Sequence, residues 1–270
     1  MVTTDTNIGG ATTSPILVTG GTGTLGRLVV RRLAGAGRDV RVLTRRGPGS
    51  QPGEDGVQFM TGDLLAGSGI EPAVDGVSAI VHCASDNKGD AEAARNLVAA
   101  ASAGGGKPHL VYISIVGADR VTFGYVRAKL EAERIVADSG LPWTTLRATQ
   151  FFDLILNGTR KLARLPVVPV PAGFPTQPVD AGEVAGRLAE LTLREPAGRV
   201  PDMAGPQVLS FADLVRGYLR ASRRRRAVLP VRLPGLRRIR EGALIPDPSA
   251  ETLIGTRTWA EFLADPAVSA

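Results

Sequence analysis

The stretch that decides the fold is Val18-Thr19-Gly20-Gly21-Thr22-Gly23-Thr24-Leu25-Gly26. It joins a short β-branched run, Ile16–Thr19, typical of a buried strand, to residues 24–34, whose apolar positions recur at helical spacing. In this context the first glycine allows a tight turn, the second lets the backbone approach a pyrophosphate, and the third lets the helix pack closely on the strand. A glycine loop that binds nothing is the less favoured alternative. We therefore predict a dinucleotide-binding loop and assign to it Gly20, Thr22, Gly23, Thr24, Leu25 and Gly26.

Short strands and helices alternate along the first half of the chain. The predicted strands after the first are residues 40–44, 57–61, 79–83, 109–114 and 143–147, and the predicted helices are 90–103 and 125–138. Because crossovers between such strands are right-handed, the alternation makes neighbouring strands parallel and places helices on both faces. The sequence thus predicts an α/β fold with a doubly wound, Rossmann-like parallel sheet.

The domain organisation follows from where this alternation stops. We expect residues 1–14 to be a flexible tail and 15–155 the dinucleotide-binding domain, with 180–205 able to complete its sheet. Prolines break residues 157–178 into a loop-rich stretch. Residues 156–179 and 206–270 are expected to form a small substrate lobe on the carboxyl edge of the sheet. The later predicted elements are a helix at 180–194, a strand at 198–205, a helix at 210–221 capped by Ser210, and a helix starting near Thr258.

Composition limits the classes of function. The net charge of +6 rests largely on two arginine runs, 223–226 and 237–240. Either run could form a nucleic-acid or membrane patch, but no aromatic residues interleave with them, so a solvated basic surface is favoured. One cysteine, Cys83, excludes an internal disulfide framework, and too few ligands accompany it for a metal site. We expect a cytoplasmic monomer or homodimer that binds a small-molecule substrate and neither nucleic acid nor membrane.

The residues after the second and third strands predict which dinucleotide binds. An acidic residue at the end of the second strand would select NAD through the ribose hydroxyls, but this chain has Thr44-Arg45-Arg46 there. Guanidinium groups suit a 2′-phosphate, so Arg45 and Arg46 favour NADP(H), the alternative being that they face solvent. Asp63, after the third strand, can accept from adenine or cap the next helix.

A tyrosine and a lysine follow the fifth strand. Tyr125 and Lys129 are four residues apart on one predicted helical face, after a strand that ends in Ser114. An ammonium beside a phenol stabilises the phenolate, so such a tyrosine can exchange a proton with a carbonyl or alcohol oxygen, which a serine hydroxyl could hold. Such a pair occurs by chance in many helices, but this position makes it informative.

In this order of motifs the chain resembles the short-chain dehydrogenase/reductase superfamily, and most closely its extended and atypical branch of NmrA-like NAD(P)H-binding proteins. The resemblance implies that Gly20, Gly23 and Gly26 bind pyrophosphate, and that Arg45 or Arg46 binds the 2′-phosphate. It implies Asp63 and Leu64 at adenine, and Ser114, Tyr125 and Lys129 at the reaction, with Lys129 also on the nicotinamide ribose. The nicotinamide would be lined by Ala148, Thr149, Gln150 and Phe151. Where the cofactor passes the fourth strand, the expected wall residues are Cys83, Ala84 and Ser85.

The leading hypothesis is an NADP(H)-dependent oxidoreductase that reduces a carbonyl, quinone or conjugated small molecule. Phe151, Phe152, Leu154 and Phe174 predict a mainly apolar substrate pocket. The alternatives are a non-catalytic NADPH-sensing regulator, as among NmrA-like relatives, and an epimerase or dehydratase that regenerates its cofactor.

Overall fold

A computed structural model describes residues 14–45, 56–86, 89–121, 124–232, 235 and 237–269 of the chain. Its strands in chain order are β1 (Ile16–Thr19), β2 (Val40–Thr44), β3 (Val57–Thr61), β4 (Ala79–His82), β5 (His109–Ile115), β6 (Trp143–Ala148), β7 (Val167–Pro171), β8 (Pro175–Thr176), β9 (Gly198–Arg199), β10 (Asp202–Ala204), β11 (Leu209–Ser210), β12 (Ala227–Val231) and β13 (Thr252–Ile254). Its helices are α1 (Gly26–Gly35), α2 (Glu71–Val74), α3 (Asp90–Ala103), α4 (Gly124–Ala137), α5 (Phe152–Leu162), α6 (Ala181–Thr192), α7 (Phe211–Ala221), α8 (Arg237–Arg240), α9 (Trp259–Ala264) and α10 (Pro266–Ser269).

The main sheet is parallel throughout its described strands. Its order is β13-β10-β6-β5-β4-β1-β2-β3, and β9 pairs with the amino-terminal half of β6. The order reverses between β1 and β4, which opens a crevice at the carboxyl ends of these two strands. One core cluster lies under α1 and α6, and a second lies under α3 and α4, on the opposite face. The doubly wound α/β fold predicted from the sequence is confirmed.

The six predicted strands of the first half match β1 to β6 to within one residue at each end. The single strand predicted at 198–205 is instead two short strands, β9 and β10, which pair with different parts of β6. The break contains Pro201, which has no N–H to give to a sheet. No helix in the described part of the chain is both long and apolar enough to cross a bilayer.

The prediction that residues 157–178 are loop-rich was wrong. Helix α5 extends through most of the first part, and β7 and β8 form in the second. Prolines are tolerated in β7 because it belongs to a two-stranded sheet, paired with β12, and its prolines alternate with the buried Val168 and Val170. These valines pack against Val215 and Leu219 of α7. Alternation of apolar residues thus outweighed the prolines as a structural signal.

The chain's last third returns to the main sheet. Strand β13 pairs with β10, although its sequence falls in the segment assigned to the substrate lobe. The helices predicted after Ser210 and Thr258 begin as expected, and each is closed by a capping box, with Asp213 and Glu261 as the reciprocal acids. Trp259 and Phe262 of α9 then pack on Phe152 of α5. Helix α9 therefore fixes the segment that follows β13 against the body of the protein.

Helix α4, which carries Tyr125 and Lys129, is fastened to the sheet by a buried ion pair. Arg147 of β6 is 4% exposed and donates through Nε and Nη2 to Glu133 of α4, at 2.8 and 2.7 Å. Its Nη1 lies 3.0 Å from Asp119 in the loop after β5. The bidentate geometry fixes the rotation of α4 relative to β6, and with it the positions of the two residues near its start.

We expect Glu133→Gln to lower the free energy of unfolding by about 3 kcal/mol, because it leaves a buried guanidinium with half of its compensating charge. The matched control is Glu131→Gln on the same helix, whose half-exposed pair with Arg95 should contribute about 1 kcal/mol or less. Urea unfolding of the two variants measures the difference. Equal losses would show that Arg147 does not fasten α4.

Candidate functional site

Two glycines of the loop after β1 occupy positions that a larger residue could not. Gly20 has φ +68°, and a Cβ added to it would lie 2.6 Å from the backbone nitrogen of Ala84. A Cβ on Gly26 would collide with the carbonyl oxygen of Gly20. The glycines therefore let the loops after β1 and β4 touch and let α1 start directly above β1.

The amino terminus of α1 is open. The helix begins without a capping side chain and without an acidic residue in its first turn. Within the described residues, the N–H groups of Thr24 and Leu25 donate to no acceptor. Thr22, Gly23 and Thr24 are exposed, whereas the side chain of Leu25 is buried in the core, so Leu25 can offer a ligand only its N–H. Unpaired N–H groups at a helix start fit the phosphates of a dinucleotide.

A cleft of about 710 Å³ extends from this loop across the carboxyl ends of β2, β3 and β4. The residues lining it are Gly20, Thr22, Gly23, Leu43, Thr44, Arg45, Gly62, Asp63, Leu64, Leu65, Cys83, Ala84, Ser85, Asp86, Asp90 and Ala93. The structure thus brings together the predicted pyrophosphate, adenine and strand-four residues. Its size suits a small-molecule cofactor.

Arg45 lines this cleft directly after the end of β2. Its side chain is exposed, and no described residue forms an ion pair with it. Arg46, the second predicted guanidinium, falls outside the described residues. Asp63 accepts from the N–H groups of Leu65 and Ala66, at 2.8 and 3.4 Å. It therefore caps a turn rather than a helix, and it still faces the cleft.

The segment that follows β4 forms one wall of the cleft. It is polar at Ser85 and Asp86 and chemically unreactive at Cys83. Burial raises the pKa of the Cys83 thiol to about 12, despite the opposing effect of Lys129, so Cys83 stays protonated near neutrality. His82 is fully buried, and its Nδ1 lies 2.7 Å from Oγ1 of Thr19. Burial, and next Lys129, lower the pKa of His82 to about 3, so its ring is neutral.

Tyr125 lies one hydrogen bond beyond the cleft. Its hydroxyl is 3.2 Å from Oγ of Ser85, which lines the cleft. Nζ of Lys129 is 5.8 Å from the centre of the Tyr125 ring, so the predicted neighbours do share a face of α4. The phenol and the ammonium are therefore close, and the described hydrogen-bond partner of the phenol is Ser85.

Lys129 has a partner that the sequence analysis did not identify. Its buried ammonium lies 3.1 Å from Oδ2 of Asp90, the first residue of α3, and 3.4 Å from the carbonyl of Ile113. Burial alone would lower the pKa of Lys129, but Tyr112, Tyr125 and Asp90 raise it above its usual value. Lys129 is thus a fixed positive charge. The sequence does place an acid, Asp90, at the start of a predicted helix. An acid at that position is ordinarily explained by its interaction with the helix dipole, so it does not by itself indicate a partner for Lys129.

Ser114 lies at the carboxyl end of β5, and its Oγ is buried with no described hydrogen-bond partner. Side chains alternate along a strand, so Ser114 shares a face with Tyr112. The ring of Tyr112 lies 5.0 Å from Nζ of Lys129. Ser114 thus belongs to the same side of the sheet as Lys129, and its buried hydroxyl does not line the cleft.

Ala148 ends β6 and residues 149–151 follow it, and none of these four residues lines the cleft. Ala148 is buried in the core, against which Phe151 packs. Thr149 donates through Oγ1 to the carbonyl of Gln177 at 2.6 Å, and Gln150 donates to the carbonyl of Leu244 at 3.3 Å. They join the sheet to the later part of the chain.

An apolar cluster covers the start of α4. Val126, next to Tyr125, packs with Phe174 and Leu244, together with the buried Val121, Ile239 and Ala243. Two other residues predicted for the apolar substrate pocket lie elsewhere, since Phe152 belongs to the core around α9 and Leu154 is 64% exposed. Their helix, α5, turns one face to α9 and the other to solvent.

Comparison with known proteins agrees with this geometry. A family described as NAD(P)H-binding matches residues 20–166. The (4-alkanoyl-5-oxo-2,5-dihydrofuran-3-yl)methyl phosphate reductase of Streptomyces griseus is 34% identical over 203 residues, which are 73% of this chain and 70% of that protein.

Two solved structures share the fold. One is an NADPH-dependent quinone oxidoreductase from Escherichia coli complexed with NADPH, with TM-score 0.75 and 21% identity over 92% of this chain and 98% of that one. The other is a Citrobacter triphenylmethane reductase complexed with NADP(H), with TM-score 0.70 and 23% identity over 93% of this chain and 87% of that one.

The predicted cofactor, NADP(H), agrees with the family and with the ligands of these two structures. The family match covers more than half of the chain and includes the glycine loop, the cleft and the start of α4. This chain therefore belongs to the NAD(P)H-binding family.

Proposed function

We propose that the protein is an NADPH-dependent reductase of the short-chain dehydrogenase/reductase type, in the NmrA-like branch, acting on a small carbonyl, quinone or conjugated compound. The observation that carries the proposal is the position of the Tyr125 hydroxyl, 3.2 Å from Oγ of Ser85 on the wall of the cleft. The ammonium of Lys129 lies beside its ring. A proton donor next to a dinucleotide cleft is the arrangement that carbonyl reduction needs.

NADPH, when bound, supplies the hydride. The open start of α1 would hold its pyrophosphate, and Arg45 its 2′-phosphate. Tyr125 gives its phenolic proton to the substrate oxygen, and the fixed charge of Lys129 stabilises the phenolate that remains. Ser114, whose hydroxyl has no described partner, donates to the same oxygen and orients it.

The substrate class rests on the surroundings of Tyr125 and on the relatives. Val126, the residue after Tyr125 in α4, packs with Phe174 and Leu244 on one apolar cluster. The similar proteins are named as reductases of a furanone phosphate and of triphenylmethane compounds and as a quinone oxidoreductase. Conjugated molecules with an electron-poor centre suit these names.

The two alternatives differ in what happens to the cofactor. A cofactor-sensing regulator would bind NADPH without oxidising it, and an epimerase or dehydratase would show no net oxidation. The phenol of Tyr125 with the ammonium of Lys129 beside its ring favours turnover, because a proton donor next to a stabilising cation is useful in reduction and has no task in cofactor sensing.

We expect Tyr125→Phe to lower kcat/KM for NADPH oxidation by about 10²- to 10⁴-fold, because it removes the proton donor. Activity is followed with a panel of quinones and ketones. The control is Tyr218→Phe on α7, which is outside the cleft and should keep full activity. If the wild type binds NADPH but oxidises none with any acceptor, the regulator or epimerase reading replaces the reductase.

We expect Arg45→Ala to weaken NADPH binding about tenfold and to leave NADH binding unchanged, because one charge-assisted hydrogen bond to the 2′-phosphate is lost. Titration calorimetry with both cofactors measures this. Arg32→Ala, an exposed residue in the last turn of α1, removes the same charge away from the cleft and is the control. An equal loss for NADH would mean that Arg45 does not select the cofactor.

A further inference from the structure

We propose that Ser85 is a further catalytic residue that stabilises the Tyr125 phenolate, and that Asp90 is the positioning residue that holds Ser85 and Lys129 on either side of Tyr125. This inference rests on the proposed reductase function. It gives Ser85 a task beyond lining the cofactor cleft, and it gives a task to an acid that the catalytic pattern Ser114, Tyr125 and Lys129 does not include.

Asp90 connects three parts of the site. Its side chain is 1% exposed. Oδ2 lies 3.1 Å from Oγ of Ser85 and 3.1 Å from Nζ of Lys129, and Oδ1 accepts from the N–H of Asp86 at 2.5 Å. One carboxylate thus fixes the loop after β4, the hydroxyl next to the phenol and the buried ammonium.

The number of hydrogens sets the direction of these bonds. A carboxylate only accepts, and the hydroxyl of Ser85 has one hydrogen, so a Ser85 that donates to Asp90 can only accept from Tyr125. In the resting site the phenol therefore donates to Ser85, across 3.2 Å. The chain of bonds from Tyr125 through Ser85 to Asp90 holds the phenol at the end of the cleft.

The reduction step rearranges these hydrogen bonds and needs no reagent besides NADPH and the substrate. The O–H bond of Tyr125 breaks as the O–H bond of the product forms, and the substrate carbon receives the hydride from NADPH. The phenolate left behind then accepts the hydrogen of Ser85, which turns from Oδ2 of Asp90. Oδ2 keeps its ion pair with Lys129, so no carboxylate oxygen is left buried without a partner. Water returns the proton to Tyr125 after product leaves.

The Ser85 bond to the phenolate exists only as the phenolate forms, so its loss should change kcat rather than binding. We expect Ser85→Ala to lower kcat about 10- to 100-fold, with KM and the NADPH dissociation constant changed less than about threefold. Ser85→Thr, which keeps the hydroxyl, should recover most of the loss.

Asp90→Asn should also lower kcat with little change in KM. Since part of its effect passes through Ser85, the loss should be at least about threefold smaller when Ser85→Ala is already present. Glu92→Gln is the matched control, because Glu92 is in the same first turn of α3 but is half exposed and pairs with Arg95. If Asp90→Asn fails to fold, the proposal is decided by the kcat of Ser85→Ala and its recovery in Ser85→Thr alone.

The outcomes separate the two proposals. Wild-type protein that oxidises no NADPH overturns the reductase function and the role of Ser85 with it. Wild-type turnover that survives Ser85→Ala within about threefold, or a loss that appears in KM and cofactor affinity, overturns the role of Ser85 alone. Equal effects of Asp90→Asn with and without Ser85 overturn the positioning role of Asp90.

Discussion

The open amino terminus of α1 is the constraint on which the rest of the site depends. The N–H groups of Thr24 and Leu25 have no described acceptor, and an unsatisfied helix start is stable when water or an anion completes it. The loop glycines create this opening, because Gly20 lets the turn pass against Ala84 and Gly26 lets the helix start above β1. The cleft, the exposed Arg45 and the wall after β4 all lie around this one positive end.

The second constraint is electrostatic. Lys129 and Asp90 are both buried, and either charge would be costly without the other. Their pairing places the ammonium 5.8 Å from the centre of the Tyr125 ring, and the carboxylate lies 3.1 Å from Oγ of Ser85, the hydroxyl next to the phenol. Helix α4 supplies the cation and the phenol, α3 supplies the anion, and the pair of Arg147 with Glu133 keeps α4 in place.

Much of this could be predicted from local patterns. Strands β1 to β6 are short β-branched runs bounded by glycines and helices. The spacing of their apolar residues and the residues that end each run therefore predicted their positions to within one residue. The cleft residues followed from the loop and strand ends. The wrong or missing predictions concern residues whose structure depends on contacts with residues distant in the sequence. Val168 and Val170 form a strand because α7 covers them, and β13 joins the sheet because β10 offers an edge. Asp90 was missed because its partner, Lys129, is far along the chain. The location in the cytoplasm and the monomer or homodimer state stay predictions.

The most direct test of the account is a crystal structure of the protein with NADPH bound. The account predicts the pyrophosphate on the N–H groups of Thr24 and Leu25, the 2′-phosphate at Arg45, and the nicotinamide ring beside the hydroxyls of Tyr125 and Ser85. A nicotinamide bound away from Tyr125, with another side chain at its reactive carbon, would contradict the account.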